Sequence, residues 1–215
     1  MNIVILSPHT DDGEIGCGGT ISKLIKQGHT IYYVAFSAAE KSVLPTFPKN
    51  ILRTEVKKAT KILGINKENV IVLDFEVRSF PEYRQDILEE MVKISRDIRP
   101  DLVFLPSGND THQDHNVIFN EGFRAFKGTT MLGYEIPWNN PTFTTNVFFV
   151  LDKKDIENKM LALNQYQSQS YRQPDLLNYL EHLACVRGGQ IKTGHAEAFE
   201  CIRLVIKDNN GLDYG

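Results

Sequence analysis

The sequence predicts an α/β fold, a three-layer, Rossmann-like domain in which a mostly parallel sheet carries helices on both faces. Two observations predict it. Along the first half of the chain, short runs rich in Ile, Val and Leu alternate with amphipathic helical patterns, which is typical of βαβ units. The runs are also apolar at consecutive positions, as in Ile3–Leu6, and strands of that kind are buried on both faces of a parallel sheet.

The strands are predicted from runs of apolar, β-branched and aromatic residues, such as TIYYVAF at Thr30–Phe36. The second half of the chain is more mixed, but it contains further runs of the same type. In chain order, the predicted strands are Asn2–Leu6, Thr30–Phe36, Val70–Leu73, Leu102–Pro106, Met131–Ile136, Asn146–Leu151 and Cys201–Ile206.

The helices are predicted where apolar residues recur every three to four positions. Gly28 and Gly64 follow the first two patterns and suit helix C-termini, and Pro100 stops the third because proline cannot continue a helix. The predicted helices are Thr20–Gln27, Ile51–Leu63, Arg84–Ile98, Lys154–Gln165 and Leu176–Val186.

Length and composition indicate one domain over residues 1–215. A chain of 215 residues with 41% hydrophobic and 24% charged residues supports one sizeable core and is too short for two comfortable domains. The net charge of −3 gives no basic surface, which argues against nucleic acid as a partner.

Cysteine usage and the N-terminus predict a cytoplasmic protein. The three cysteines are widely spaced and form no CxxC pair, which favours a reducing compartment over a disulfide framework. The first residues lack a basic segment, and their apolar run is too short for a signal peptide. It is also too short to span a membrane, so we expect no membrane span.

Two charged clusters follow two of the predicted strands. His9, Asp11 and Asp12 come after the first strand, and the run Asn109–His115 comes soon after Leu102–Pro106. Ligands of open α/β sheets bind beyond the carboxyl ends of the strands, so the clusters meet if both strands are central. The Pro- and Thr-rich segments 42–49 and 137–145 are predicted loops that could shape a substrate pocket.

The residue types in these clusters suit metal-assisted hydrolysis of an amide or ester. A catalytic zinc site uses three ligands drawn from His, Asp and Glu, with water in a fourth position. A second carboxylate can then act as general base, and a spare histidine can stabilise an oxyanion. Each cluster alone is weak evidence for such a site. Two clusters that follow two separate strands are much more specific evidence for it.

Three other interpretations remain open at this point. The segment GCGGT at 16–20 could cradle a phosphate at a helix N-terminus, giving a nucleotide- or phosphosugar-binding protein without hydrolase activity. Two histidines and one carboxylate also describe non-haem Fe(II) oxygenases. A third interpretation is a binding protein that kept the fold and lost the activity.

Two motifs resemble those of the LmbE-like (PIG-L) family of zinc-dependent deacetylases. The first is PHTDD at 8–12 followed by IGCGGTI at 15–21, and the second is HQDH at 112–115, similar to the HxDH of that family. Further matches are RTE at 53–55, LG at 63–64, YQSQ at 166–169 and AEAF at 196–199, so the resemblance covers nearly the whole chain.

The resemblance implies a hydrolase that removes an N-acetyl or other N-acyl group from an amino-sugar substrate, such as an N-acetylglucosaminyl conjugate. It implies Zn²⁺ or another divalent cation as cofactor, and a homo-oligomer, a state common in the family. The metal ligands that it implies are His9, Asp12 and His115. It implies Asp11 as the general base and His112, expected to work protonated, as the donor to the oxyanion. It further implies that Asp110 and Asp114 orient the histidines and that Arg53 contacts the sugar.

One position departs from the family pattern. Many members carry Glu directly after the Asp pair, whereas this chain has Gly13 there and Glu14 next. Glu14 is therefore left out of the metal ligands, and capping of the first helix is the role expected for it.

Overall fold

The computed structural model describes residues 1–171 and 175–206. Within them, one sheet of seven strands runs in the order β3-β2-β1-β4-β5-β7-β6. The strands are β1 (Asn2–Ser7), β2 (Thr30–Ala35), β3 (Val70–Val72), β4 (Leu102–Pro106), β5 (Thr130–Tyr134), β6 (Val147–Leu151) and β7 (His195–Arg203).

The strand order places a topological switch point at β1. Strands β1 to β5 are parallel, and β7 is antiparallel to both of its neighbours, β5 and β6. The chain builds outward from β1 through β2 to β3, and then returns to add β4 on the opposite side of β1. A crevice opens at such a point beyond the carboxyl ends of the two strands, where ligands bind in folds of this class.

Helices cover both faces, which confirms the predicted three-layer α/β fold. Successive residues of β1 point to opposite faces: Ile3 and Ile5 join one apolar cluster, and Val4 and Leu6 the other. α1, α2, α5 and α6 pack on the first face, and α3 and α4 on the second. The helices are α1 (Asp12–Lys26), α2 (Ile51–Leu63), α3 (Arg84–Ile98), α4 (Gln113–Ala125), α5 (Lys153–Leu163) and α6 (Leu176–Gln190).

The first helix begins at Asp12, so its predicted start at Thr20 was wrong. Glycine weakens a helix, so propensity alone does not extend the predicted helix through the Gly-rich segment before Thr20. In the structure this segment is helical and buried, and a Cβ at Gly13 would lie 2.6 Å from the ring of Tyr33. The glycines are thus required by close packing of the helix on the sheet.

The helix is interrupted at Cys17, where φ is −144° and ψ is 22°. Nζ of Lys159 donates to the carbonyl of Ile15 at 2.7 Å, and the carboxylate of Glu197 accepts from the amides of Gly19 and Thr20 at 3.0 and 2.7 Å. Lys159 and Glu197 are buried and contact each other at 2.6 Å. The ion pair therefore supplies partners for backbone groups at the interruption, which buried amides and carbonyls require.

Helix α4 was not predicted. Its buried positions include Glu121 and Gly122 beside Val117 and Ile118, so the buried side carries no continuous apolar stripe. The last strand also differs, since β7 covers His195–Arg203 and not Cys201–Ile206. Ala and Glu in the segment AEAF have low strand propensity, and their place in the sheet depends on pairing with β5 and β6.

No helix within residues 1–171 and 175–206 has both the length and the apolar content needed to cross a membrane.

The close approach of α1 to the sheet can be tested with Gly16→Ala. The new methyl group would overlap the ring of Tyr134, which is fully buried and whose hydroxyl donates to the carbonyl of Leu6 at 2.9 Å. We expect a loss of about 1–3 kcal/mol in the free energy of unfolding, measured by urea denaturation. In the control Gly189→Ala, the new methyl meets no atom within 4 Å, and a gain of about 0.5–1 kcal/mol is expected. Equal stability of the two variants would contradict the packing argument.

Candidate metal centre and active site

The two charged clusters meet at the crevice between β1 and β4. His9 lies in the loop after β1, and Asp12 is the first residue of α1. His112 directly precedes α4, and His115 lies in its first turn. Because β1 and β4 are hydrogen-bonded neighbours, the loops that follow them lie side by side.

The imidazoles of His9 and His115 both contact one carboxylate oxygen of Asp12. Nδ1 of His9 lies 3.1 Å from Oδ2 of Asp12, and Nε2 of His115 lies 3.2 Å from the same oxygen. Ligands bonded to zinc at about 2.0–2.2 Å in a tetrahedron lie about 3.3–3.6 Å apart. The donor types and their spacing therefore fit a divalent cation after a small outward movement.

A second set of donors shares two of these residues. Ring nitrogens of His9, His112 and His115 lie within 4.8 Å of one another, so a cation bound by His9 and His115 would also lie within reach of His112. Of Asp12 and His112, Asp12 is the more buried, and its carboxylate oxygen contacts both His9 and His115 directly.

His9 and His115 each contact a second, buried aspartate through the other ring nitrogen. Nδ1 of His115 lies 2.7 Å from Asp110, and Nε2 of His9 lies 3.0 Å from Asp114. Asp114 also accepts the amide hydrogens of Arg78 and Phe80 at 2.6 and 3.3 Å. Such carboxylate–imidazole pairs fix the tautomer and the ring orientation of metal-ligating histidines.

Proton binding competes with metal at this centre. Burial alone lowers the pKa of His9, but its hydrogen bonds with Asp114 and Asp12 raise it to about 9. Burial likewise opposes the charge on His115, but Asp12 and Asp110 raise the pKa of that imidazole to about 10. Burial also works against the charged form of Asp12, yet the two histidines hold its pKa well below the usual range.

Asp11 lies at the wall of a cavity of about 350 Å³ whose floor is the centre. Asp11 occupies the N-cap position of α1 without capping the helix through its side chain. The cavity also exposes the partly buried His112, and its other walls come from four separate parts of the chain. Those wall residues include Ala39, Ser42, Leu52, Val77, Arg78, Trp138, Asn139, Gln169 and Leu176.

The two predicted loops both reach this cavity, through Ser42 in one and Trp138 and Asn139 in the other. The helix α2 and the turn that carries Gln169 are joined by Glu55, which accepts from the amide and hydroxyl of Ser168 at 3.0 and 2.6 Å. This contact gives a structural reason for two of the sequence matches, RTE at 53–55 and YQSQ at 166–169.

His112 is held in its neutral form. Its Nδ1 accepts the amide hydrogen of Asp114 at 3.1 Å, so that nitrogen carries no proton and the remaining proton is on Nε2. Burial lowers the pKa of His112, and the charges of His115 and His9 lower it further. The structure therefore favours a neutral imidazole that donates through Nε2, in contrast to the expected protonated form.

Arg53, predicted to contact a sugar, lines an adjoining cavity of about 250 Å³ rather than the one above the centre. Its Nε donates to Glu40 at 2.9 Å, and its guanidinium also pairs with Asp74. The two cavities share only Ala39 and Val77. Its contact with substrate remains a prediction.

Glu14 does not cap α1, so the role expected for it was wrong. Its carboxyl group is fully buried, pairs with the hydroxyl of Tyr33, and lies 2.9 Å from the hydroxyl of Tyr166. Burial raises the pKa of Glu14 to about 8. Both hydroxyls also contact the carbonyl of Thr10, so this group supports the loop between His9 and Asp11 from below.

The comparison with known families agrees with this site. Residues 4–126, more than half of the chain, match the family described as PIG-L: GlcNAc-PI de-N-acetylase. This chain belongs to the PIG-L (LmbE-like) family. The matched segment contains both metal motifs.

Among its relatives, the uncharacterized deacetylase YaiS of Escherichia coli (strain K12) is 27% identical over 172 residues, which are 77% of this chain and 90% of that protein. The N,N'-diacetylchitobiose deacetylase from Pyrococcus horikoshii shares the fold with a TM-score of 0.78 at 22% identity, over 94% of this chain and 83% of that one. The 4-carboxy-2-hydroxymuconate hydratase GalB from Pseudomonas putida KT2440 also shares it, with a TM-score of 0.77 at 20% identity over 98% and 99% of the two chains.

Metal binding is expected to release protons. His9 and His115 have pKa values of about 9 and about 10 in the metal-free protein, so both imidazoles are protonated at pH 7.5 and must lose a proton to bind a cation. We expect release of about two protons per Zn²⁺, and an apparent affinity that rises with pH up to about 10, where the second imidazole loses its proton. Calorimetric titration in two buffers of different ionisation enthalpy measures the release. Zinc binding without proton release would contradict the charge state described for the centre.

Proposed function

We propose that this protein is a metal-dependent hydrolase that removes an N-acetyl, or other N-acyl, group from an amino sugar. The convergence of His9, Asp12 and His115 beneath a cavity that also contains Asp11 and His112 carries this proposal. The family and the deacetylase relatives support the same chemistry.

The ligand residues His9, Asp12 and His115 would hold Zn²⁺ or another divalent cation. When bound, such a cation lowers the pKa of water and polarises a carbonyl oxygen. The two aspartates behind the histidines keep the imidazoles oriented toward it.

Asp11 acts as the general base in this proposal. Its neighbour Asp12 turns toward the histidines, while Asp11 lines the cavity where an amide would lie. Asp11 removes a proton from the attacking water and can return it to the nitrogen of the leaving amine. The amide bond to the acyl carbon then breaks, giving a carboxylate and a free amino sugar.

His112 stabilises the carbonyl oxygen as it gains negative charge. Nε2 bears the proton because Nδ1 accepts from the amide of Asp114, so the donor is held in place before the reaction. A donor fixed in this way stabilises the transition state more than the bound substrate, because the negative charge on the oxygen is larger there.

The alternative of a phosphate-binding protein is not favoured by the structure. The segment GCGGT lies inside α1 and is buried. The amides of Gly19 and Thr20 already donate to Glu197, and Gly16 and Gly19 pack against Tyr134 and Leu151. The segment therefore offers no open helix N-terminus to a phosphate.

The cytoplasm is the proposed compartment. Cys17, Cys185 and Cys201 are free thiols in the described part of the chain, as expected of a protein from a reducing environment.

The proposed function is tested by incubating the zinc-loaded protein with N-acetylglucosamine and N,N'-diacetylchitobiose and measuring released acetate. We expect acetate release that chelation abolishes and zinc restores. Failure with these, with longer N-acyl glucosamines and with N-acetylglucosamine derivatives that carry a phosphate or a carboxylate would refute the amino-sugar proposal.

Asp12→Ala and His112→Ala decide which residue completes the ligand set. We expect Asp12→Ala to lose the metal and, with it, activity. His112→Ala should retain the metal, and its kcat should fall about 10²–10³-fold with a smaller change in KM, because the contact strengthens as charge develops. Metal content by elemental analysis is measured beside the kinetics. Metal loss in His112→Ala alone would assign the third ligand to His112 instead.

Asp11→Asn tests the general base. The amide keeps the size of the side chain but cannot accept the proton, so turnover should fall by roughly two to four orders of magnitude. Zinc content should equal that of the unchanged protein, because Asp11 is not among the proposed ligands. A variant with normal turnover, or one without zinc, would remove Asp11 from this role.

A further inference from the structure

Arg78 is an exposed residue that lines the cavity above the proposed metal centre. Within residues 1–171 and 175–206, its side chain has no hydrogen bond and no ion pair, although it lines the same cavity as His112. Most other described arginines bind an acceptor of the protein: Arg53, Arg84, Arg96, Arg124, Arg187 and Arg203 do so. Arg78 alone among the described arginines lines this cavity.

The backbone of Arg78 is held in a conformation that a non-glycine residue rarely adopts, with φ of 71°. Its amide donates to Asp114 at 2.6 Å, and its carbonyl accepts from the side chain of Gln113 at 2.7 Å. Both partners belong to the HQDH motif, so the position of Arg78 is fixed relative to His112. Left-handed residues other than glycine persist where the surroundings enforce them, and they cluster at functional sites.

Glycine would satisfy these two backbone contacts with less strain, since only the amide and the carbonyl are used. The contacts to Asp114 and Gln113 therefore explain the backbone conformation but not the presence of an arginine. The unexplained feature is the guanidinium itself, which has no partner within the described residues although Arg78 lines the cavity.

We propose that the substrate carries an anionic group, a carboxylate or a phosphate monoester, which the guanidinium of Arg78 binds. The planar fork of N–H donors matches the paired oxygens of either group. This inference rests on the proposed function and narrows its substrate class to acidic N-acylated amino-sugar conjugates. It also separates the roles of two arginines, because Arg53 already pairs with Glu40 and Asp74.

Trp138 provides a direct readout of binding. It is the single tryptophan of the chain, is 45% exposed and lines the same cavity. The amide and the hydroxyl of Thr111 donate to the carbonyl of Asn139 at 2.9 and 3.0 Å. These bonds fix the loop that carries Trp138 beside the motif that carries His112. Fluorescence titration of zinc-loaded Asp11→Asn protein therefore measures affinity without turnover.

The experiment compares four probes: the methyl glycoside of N-acetylglucosamine, its carboxymethyl glycoside, N-acetylglucosamine 1-phosphate and the 6-phosphate. We expect at least one anionic probe to bind about 10–100-fold more tightly than the neutral one, as charged hydrogen bonds provide. The carboxymethyl and phosphate arms distinguish the two anion types.

Three further variants in the same background show whether Arg78 causes the preference. Arg78→Gly keeps the backbone conformation and removes the charge, so the ratio of anionic to neutral affinity should fall close to one. Arg78→Lys should retain part of it. Arg96→Gln removes a 72% exposed arginine side chain that pairs with Asp97 on α3, and should leave the ratio unchanged.

The outcomes separate this inference from the proposed function. Acetate release from the neutral glycoside with no preference for any anion would overturn the role of Arg78 and leave the hydrolase standing. A preference that persists in Arg78→Gly would also overturn it. Anion binding that depends on Arg78, without acetate release from any probe by the zinc-loaded protein with Asp11 intact, would support the anion site and refute the hydrolase.

Discussion

The site depends on an unbroken chain of buried carboxylates and imidazoles that runs Asp110–His115–Asp12–His9–Asp114. Charged groups are tolerated inside a protein only when they are paired or coordinate a metal, and each member here has a partner on one or both sides. Three members come from the loop and first turn after β4, and two from those after β1. The chain therefore joins the two loops and requires β1 and β4 to be neighbours.

The first turn of α1 carries Asp12, so the placement of this turn determines where the carboxylate of Asp12 lies. Several buried contacts fix the turn. Gly13 and Gly16 allow the turn to approach Tyr33 and Tyr134 on the sheet. The hydroxyl of Tyr33 donates to the carbonyl of Thr10 at 2.8 Å, directly between His9 and Asp11. A catalytic arrangement held by such supporting contacts needs little reorganisation when substrate binds.

The fold itself does not choose the reaction, since deacetylases and a hydratase share this architecture. What distinguishes this chain is the set of side chains at the switch point: His9, Asp12 and His115 lie together, and the cavity above them is lined by Asp11 and by the neutral imidazole of His112. The loop between β5 and β6 contributes Trp138 and Asn139 to the wall of the cavity.

The sequence alone determined the layered fold and most of the helices and strands, because apolar periodicity is a local signal, and its two charged motifs marked side chains that meet at the crevice between β1 and β4. It did not reveal α4 or the helical start of α1, since buried Glu121 and closely packed glycines hide the usual apolar stripe. Only the tertiary structure assigned Glu14 to two tyrosines and placed Arg53 in an adjoining cavity. It also brought Arg78 to the metal motif. These positions depend on contacts between residues distant in sequence, and the identity of a residue does not specify which distant neighbour it will meet.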